Sequence, residues 1–515
     1  MTKWMVVQIT EERPELSDNE NSLCLPIVAD VEQATGDELL NLIETDAYEQ
    51  GKQVQQFLFT HHIKRLDVTI SGQRTHDKAV ACQVVFDGKD PLTFITRFGA
   101  VRIPIQQAHC QAHNQDFTPL NRILPSHQGC LTTPGVQELS CLFAALCPSY
   151  ELGNQLLAIA LQEPKLLSTS KSECLVETHG RAWRKQELTE ANEVLKATAK
   201  TDIPSLPLQS APAPRRSTLG DELLEQVRQK LANVELEEPA AGLSKLDWKR
   251  IVTMAQANLA NEETDWFAEL GPTLRPGEVV LLLDGILVKG RPKGSKIEEC
   301  CARIATPEGF LYISGQGQQF QLKVQAALKR LTTHPAIAKL TVIADGARTI
   351  RTFYAAELKD WVCVTELILD WYHLQKKCHQ LLSMVCHGRP ERAQVEDQLY
   401  PLLWQGDVDT AGQLLETLRP KARHVDKLDE LLGYLDKHRT EIPNYDQRRA
   451  NCQFNGAGMV EKENDLLVAR RQKHRGMQWI AKGADFICAL RTLWFNGRWA
   501  SFWKSNLTTS FAMAG

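Results

Sequence analysis

EVVLLLDGILVKG, residues 278–290, is a nearly unbroken run of Val, Leu and Ile interrupted by one acid, Asp284. Such a run reads as a strand buried on both faces. Downstream, KLTVIADGA (339–347) repeats the design, with Asp345 closing the apolar stretch. Between them GFLYISG predicts another strand and 318–332 a helix, and WVCVTELILDWYH adds one more strand ending near Asp370. From 374 to about 440 the leucines recur in i, i+1, i+4 groups, a wholly helical pattern. Strands, helix, strands, helical insert, helix: the order describes a mixed α/β core interrupted by an all-α insertion.

Upstream, AKTDIPSLPLQSAPAPRRST (199–218) holds four prolines and almost no large apolar residue, so it predicts an extended linker. Before it, 134–184 reads as three helices separated by Pro148 and Pro164. Ser170-Lys171-Ser172-Glu173 has the spacing of a capping box opening the third. Lys171, Arg181 and Arg184 on or near that helix suit a helix-turn-helix, with a plain helical bundle as the alternative. Further upstream, 37–65 has helical spacing, and QVVFDG with TFITRFGAVRIPI reads as strands ending at His109-Cys110.

The chain has 515 residues, enough for about three domains, and an ordinary hydrophobic share of 43%. The expected division is 1–92, a helical and strand region; 93–133, a degenerate zinc-ribbon-like module; 134–198, helix-turn-helix-like; 199–220, the linker. It continues with 221–275, a helical connector; 276–373, the first part of the core; 374–450, the helical insertion; and 451–515, the core's C-terminal helices. The start of the chain lacks a signal-peptide core and no apolar stretch approaches a membrane span, so a cytoplasmic protein with no membrane partner is expected. Fourteen scattered cysteines agree with a reducing compartment. The net charge of −4 conceals segregation: Met1–Thr60 carries twelve acids against three Lys or Arg, whereas Leu466–Lys504 carries eight Lys or Arg against Asp485 alone. A segregated basic segment can build a groove for a polyanion whatever the total charge.

Asp284 and Asp345 each end a buried strand and each precede a glycine, where open α/β sheets expose catalytic groups and a ligand can approach closely. In NGAGMVEKENDLLVARRQKHRGMQW (455–479) a Gly-rich turn feeds a helix bearing Glu461, with Asn464 and Asp465 on the same face. Two Asp and one Glu would suffice to hold two Mg²⁺ (or Mn²⁺) ions for in-line phosphoryl transfer. Alternatively, Glu461 only complements the helix dipole. Arg470, Arg471, Lys473, His474 and Arg475 follow, and Trp479 is placed to stack on an unpaired base, against the plainer reading of a solvated face with a core tryptophan.

These motifs, with ILDWYH (368–373), LLWQGDVDTA, IPNYDQRR (442–449) and the tail ALRTLWFNGRWASFW, resemble DDE transposases of the ISKra insertion-sequence type, relatives of the Mutator-like group. The resemblance covers roughly 275–505 well and 93–185 more loosely. It implies an RNase H-like mixed-sheet catalytic core with an all-α insertion, preceded by small α+β and helix-turn-helix DNA-binding modules. It carries the catalytic acids onto Asp284, Asp345 and Glu461, and the Asp-x-x-His motif onto Asp370 and His373. It implies transposon ends and target DNA as partners, a homo-oligomer to join two ends, and cleavage followed by strand transfer. DNA contacts are expected at Lys171, Arg470, Arg471, Lys473, Arg475 and Trp479. Where relatives carry a Cys-x-x-Cys pair, Cys110 and His113 stand here; with His127 and Cys130 they form a candidate Cys₂His₂ site for a structural Zn²⁺, the alternative being a ribbon without metal. Rival readings are an RNase H-like nuclease without strand transfer and a domesticated DNA-binding regulator.

Overall fold

The computed structural model describes residues 3–8, 22–27, 36–73, 84–124, 130–199, 202–209 and 274–504, apart from 165, 293, 334–336, 363, 452, 456–463 and 475. The fold is α/β, with mixed sheets and many helices. It divides into two compact units, Met1–Trp183 with Arg498–Gly515, and Arg184–Gly497. Most of the expected linker and nearly all of the 221–275 connector lie outside the described residues.

In the first unit, β1 (Lys3–Gln8) pairs antiparallel with β2 (Ser22–Ile27). The long helix α1 (Gly36–Ser71) lies against a hairpin of β3 (Val84–Thr96) and β4 (Gly99–Cys110). Strand β4 alternates buried Val101, Ile103 and Ile105 with exposed Ala100, Arg102 and Pro104, the period of a strand with one wet face. Short strands β5 (Gln115–Phe117) and β6 (Cys130–Thr132) complete the sheet in the order β5-β4-β3-β6, and β6 runs parallel to β3. Three helices follow as expected: α2 (Pro134–Leu146), α3 (Tyr150–Leu161) and α4 (Thr169–Lys196), of which the residues from Arg184 on belong to the second unit. A buried polar chain ties them, Ser140 donating to Ser172 at 3.1 Å and Ser172 to Asn154 at 2.6 Å. The cap of α4 sits two residues earlier than the expected Ser170: Ser168 Oγ accepts from the Lys171 amide at 3.2 Å, and Ser172 is buried instead. The C-terminal residues pack against α4: Trp503 lies 4.4 Å from His179, Phe502 edge-on to Trp183 and Arg498 over the Trp183 ring.

In the second unit, β7 (Glu278–Lys289), β8 (Lys296–Thr306) and β9 (Gly309–Gly315) form an antiparallel meander. Helix α5 (Gly317–Thr333) leads to β10 (Lys339–Ala344), which pairs parallel with β7. Helix α6 (Arg348–Phe353) and a π turn, Tyr354–Leu358, lead to β11 (Val364–Leu369), parallel to β10. The sheet order is β11-β10-β7-β8-β9, so the 278–290 run occupies its centre. Its alternate residues feed two cores, as a strand covered on both faces must. Val279, Leu281 and Leu283 join α5, while Val280 and Leu282 face the insertion. Each fully buried leucine contributes about 1.5–3 kcal/mol relative to exposure.

The insertion is helical as expected: α7 (Trp371–Val385), α8 (Arg389–Trp404), α9 (Val408–Glu416), α10 (Val425–Lys437) and α11 (Tyr445–Ala450). Trp371, Trp404 and Tyr445 meet at its base, with ring centres 4.8–5.6 Å apart. Helix α12 (Ala481–Phe495) is buried continuously from Gly483 to Leu493, and Thr492 bonds Ser314 of β9 at 2.6 Å. Among the described residues no helix is long and apolar enough to cross a membrane.

Candidate metal centre

Register builds this site. In the parallel trio, Leu283, Ala344 and Leu369 stand side by side, so the next residues, Asp284, Asp345 and Asp370, come abreast. Asp345 and Asp370 directly follow the ends of β10 and β11, whereas Asp284, expected to end its strand, lies in the middle of β7, which stays paired with β8 as far as Lys289. Adjacent strands lie about 4.8 Å apart, close enough for two carboxylates to share a cation. Asp284, Asp345 and His373 each bring one ligand atom within 4.8 Å of the others. Two carboxylate oxygens and an imidazole nitrogen form a donor set that fits a divalent cation.

Each member is held. Asp284 Oδ1 accepts from the Gly285 amide at 2.7 Å, and its Oδ2 accepts from the Asn464 side chain. Asp345 Oδ1 accepts from the Ala347 amide at 2.8 Å. Asp370, wholly buried, caps α7: one oxygen accepts from the Tyr372 amide at 3.0 Å and the other meets His373 Nδ1 at 2.8 Å. Burial, then the charge of Asp345, push the Asp284 carboxyl up to about 6. The hydrogen bond to Asp370, then the charges of Asp370, Asp284 and Asp345, raise His373 against the opposing effect of burial.

Gly346 allows the close packing behind Asp345. Its φ is +78°, and a Cβ there would stand 2.8 Å from His438 Cε1 and 2.9 Å from Leu369 Cδ1. His438 is itself buried and fixed by Glu441 at 2.5 Å, and Glu441 is paired with Arg351 at 2.6 Å. Reading the Gly after Asp as room for a ligand therefore missed its packing role, because His438 is distant in sequence.

Glu461 lies outside the described residues. Asn464, three residues later, reaches Asp284, and the chain continues not as the expected regular helix but as a π turn, Asp465–Ala469, and a last turn, Arg470–Gln472. Buried Arg491 of α12 braces the π turn, its Nε donating to Leu467 O at 3.0 Å and Leu466 O at 3.1 Å.

The expected DNA contacts divide. Lys473 and His474 are exposed, and exposed Arg470 pairs with Asp465 at 2.7 Å; Arg475 lies outside the described residues. Arg471 and Trp479 need correction: both are buried, the guanidinium stacked 5.0 Å over the indole, whose Nε1 donates to Gln472 O. Trp479 also bridges to the end of β7, its amide donating to Lys289 O. A ring used to close the core offers no face to a base. Lys171 is half-buried in the first turn of α4, and Arg184, on the same helix, is buried against Asp485 at 2.8 Å.

The zinc reading is also corrected. Cys110 and His113 are adjacent at 3.2 Å, but Cys130 pairs with Thr93, which faces Arg102. Arg102 stands eight residues before Cys110 on β4, roughly 26 Å along an extended strand. The two cysteines cannot share an ion, and His127 lies outside the described residues. Comparison of the chain with protein-family models and with curated proteins finds no match.

Proposed function

We propose that this chain is a DNA transposase that cleaves and joins DNA strands at a divalent-metal centre built on Asp284 and Asp345, with Glu461 completing the acidic set. The observation carrying this reading is the emergence of the two aspartates side by side from β7 and β10, with His373 of α7 beside them. Strand order β11-β10-β7-β8-β9, three antiparallel strands followed by two parallel ones, supports an RNase H-like core, and the five helices after β11 match the expected insertion. The hydrogen bond from Asn464 to Asp284 brings the segment after Glu461 back to the carboxylates.

Asp284 and Asp345 would hold the cations, which when bound supply the positive charge that activates water and stabilises a phosphoryl transition state. Asp370 orients His373, and Asn464 and the Gly285 amide orient Asp284, so little reorganisation remains when DNA arrives. Exposed Lys473 and His474 suit a phosphate backbone as partner, and α2–α4 would serve as a helix-turn-helix for the element's ends. Joining two ends calls for a homo-oligomer.

The test uses Mg²⁺ or Mn²⁺ and a labelled duplex carrying the ends that flank the gene. Wild type should cut and join; Asp284→Ala, Asp345→Ala and Glu461→Ala should each lose at least about a thousandfold in rate while retaining binding. Cutting without joining would reduce the reading to a nuclease. Binding with neither activity would make the protein a regulator.

A further inference from the structure

The carboxylates are accompanied by a nitrogen donor that two-carboxylate chemistry does not require. His373 occupies the first turn of α7, and its Nδ1 lies 2.8 Å from a carboxylate with zero solvent exposure, Asp370. Both oxygens of Asp370 are engaged on α7 itself, by the Tyr372 amide and by this imidazole, so its position does not depend on substrate or cation. A carboxylate on Nδ1 fixes the ring's orientation and, in the neutral ring, the tautomer that keeps the proton on Nδ1 and a lone pair on Nε2. A ring nitrogen of His373 also lies within 4.8 Å of a carboxylate oxygen from both Asp284 and Asp345. Buried carboxylate, imidazole and acidic pair together supply the protein side of a carboxylate–histidine–metal arrangement.

We propose that His373 is a metal ligand through Nε2, that Asp370 is its positioning residue, and that the centre consequently selects Mn²⁺ over Mg²⁺. Magnesium favours an all-oxygen shell and keeps its waters, whereas imidazole suits the later first-row divalent ions. The inference rests on the proposed reading in one respect, that Asp284 and Asp345 hold a cation, and is independent of what the cation is used for.

The test is made on the full-length protein with the metal alone. Mn²⁺ is titrated by electron paramagnetic resonance, and pulsed measurements on the bound ion seek coupling to an imidazole nitrogen. Wild type is expected to show that coupling and to bind Mn²⁺ at least about tenfold more tightly than Mg²⁺. His373→Gln should abolish the coupling and weaken Mn²⁺ at least about tenfold, with Mg²⁺ affected less than about threefold. Asp370→Asn, whose amide can still cap α7, should keep the coupling and weaken Mn²⁺ about tenfold. Bound Mn²⁺ without nitrogen coupling in wild type overturns the proposal without any variant, as does equal affinity for the two ions. Nitrogen coupling without DNA cleavage would leave this inference standing and defeat the transposase reading; cleavage without nitrogen coupling would do the reverse.

Discussion

At the residue scale, single groups carry consequences that their position in the sequence does not announce. His179 reads as an ordinary polar residue of a helix, yet it is packed against Trp503 and bonds Gln137 at 2.7 Å. Burial lowers its pKa to about 4. The unfolded ring takes up a proton near pH 6.5, and the folded ring resists until about 4. Stability from the neutral ring is therefore complete above pH 6.5 and lost as the pH falls toward 4, by up to about 3 kcal/mol. Urea unfolding at pH 7 and pH 4.5 should show a smaller acid loss for His179→Phe than for wild type; identical losses would disprove the assignment. Gly346 behaves differently, being constrained by conformation rather than charge. Gly346→Ala forces a β-carbon into the left-handed region and against His438, at an expected cost of about 1–3 kcal/mol. A denaturation midpoint indistinguishable from wild type would contradict that packing.

At the scale of elements, the strands of the central sheet were legible and the segment after Glu461 was not. Continuous Val and Leu in β7 and β10 follow from burial on both faces, a requirement written into every residue of the strand. The insertion was equally legible, because leucines at helical spacing have few alternatives. The 465–472 segment has the composition of a helix but is wound as a π turn, since Leu466 and Leu467 carbonyls accept from Arg491 of a helix beginning sixteen residues after Asp465. Such turns are single-turn departures that depend on outside partners. Arg491→Met should cost about 2–3 kcal/mol by leaving those carbonyls without their charged donor. It should also weaken Mn²⁺ binding, because the same turn carries Asn464 to Asp284. Lost stability with metal affinity intact would separate the turn from the site.

At the scale of the whole molecule, the second unit is braced by a buried charge network far from its carboxylates in sequence. Arg184 meets Glu187 at 2.7 Å and Asp485 at 2.8 Å, and Lys323 meets Glu187 at 3.2 Å. Burial opposes these charges and their mutual pairing offsets it: burial is the largest single influence on Glu187 and raises it, yet Lys323 and Arg184 together hold it below its ordinary carboxylate range. Removing one partner strands another charge, so Asp485→Ala should cost about 3–5 kcal/mol by thermal or urea unfolding. A paired Arg184→Met, Asp485→Leu variant should recover much of that loss. If it recovers none, the network does more than balance its own charges.

The sequence by itself determined the mixed α/β core, the helical insertion and an aspartate on each of two buried strands, because burial and periodicity are local constraints repeated at every turn and strand; that β7 runs on past Asp284 to Lys289 it did not show. Asp370 and His373 stood out only through a resemblance to a known family, not through any local pattern. Tertiary structure alone decided which polar residues face solvent and which are enclosed. Arg184, Arg471 and Trp479 look like nucleic-acid contacts by composition, and all three are buried: Arg184 against Asp485 and Trp479 against the end of β7, both distant in the chain, and Arg471 against Trp479. Cys110 and Cys130 have the spacing of metal ligands, yet strand register holds them at opposite ends of a sheet. Conversely, register sets Asp284, Asp345 and Asp370 abreast, although they are separated by 61 and then 25 residues. Residue type limits the chemistry a side chain can perform, but its partners and exposure are set by contacts between segments that no local pattern records.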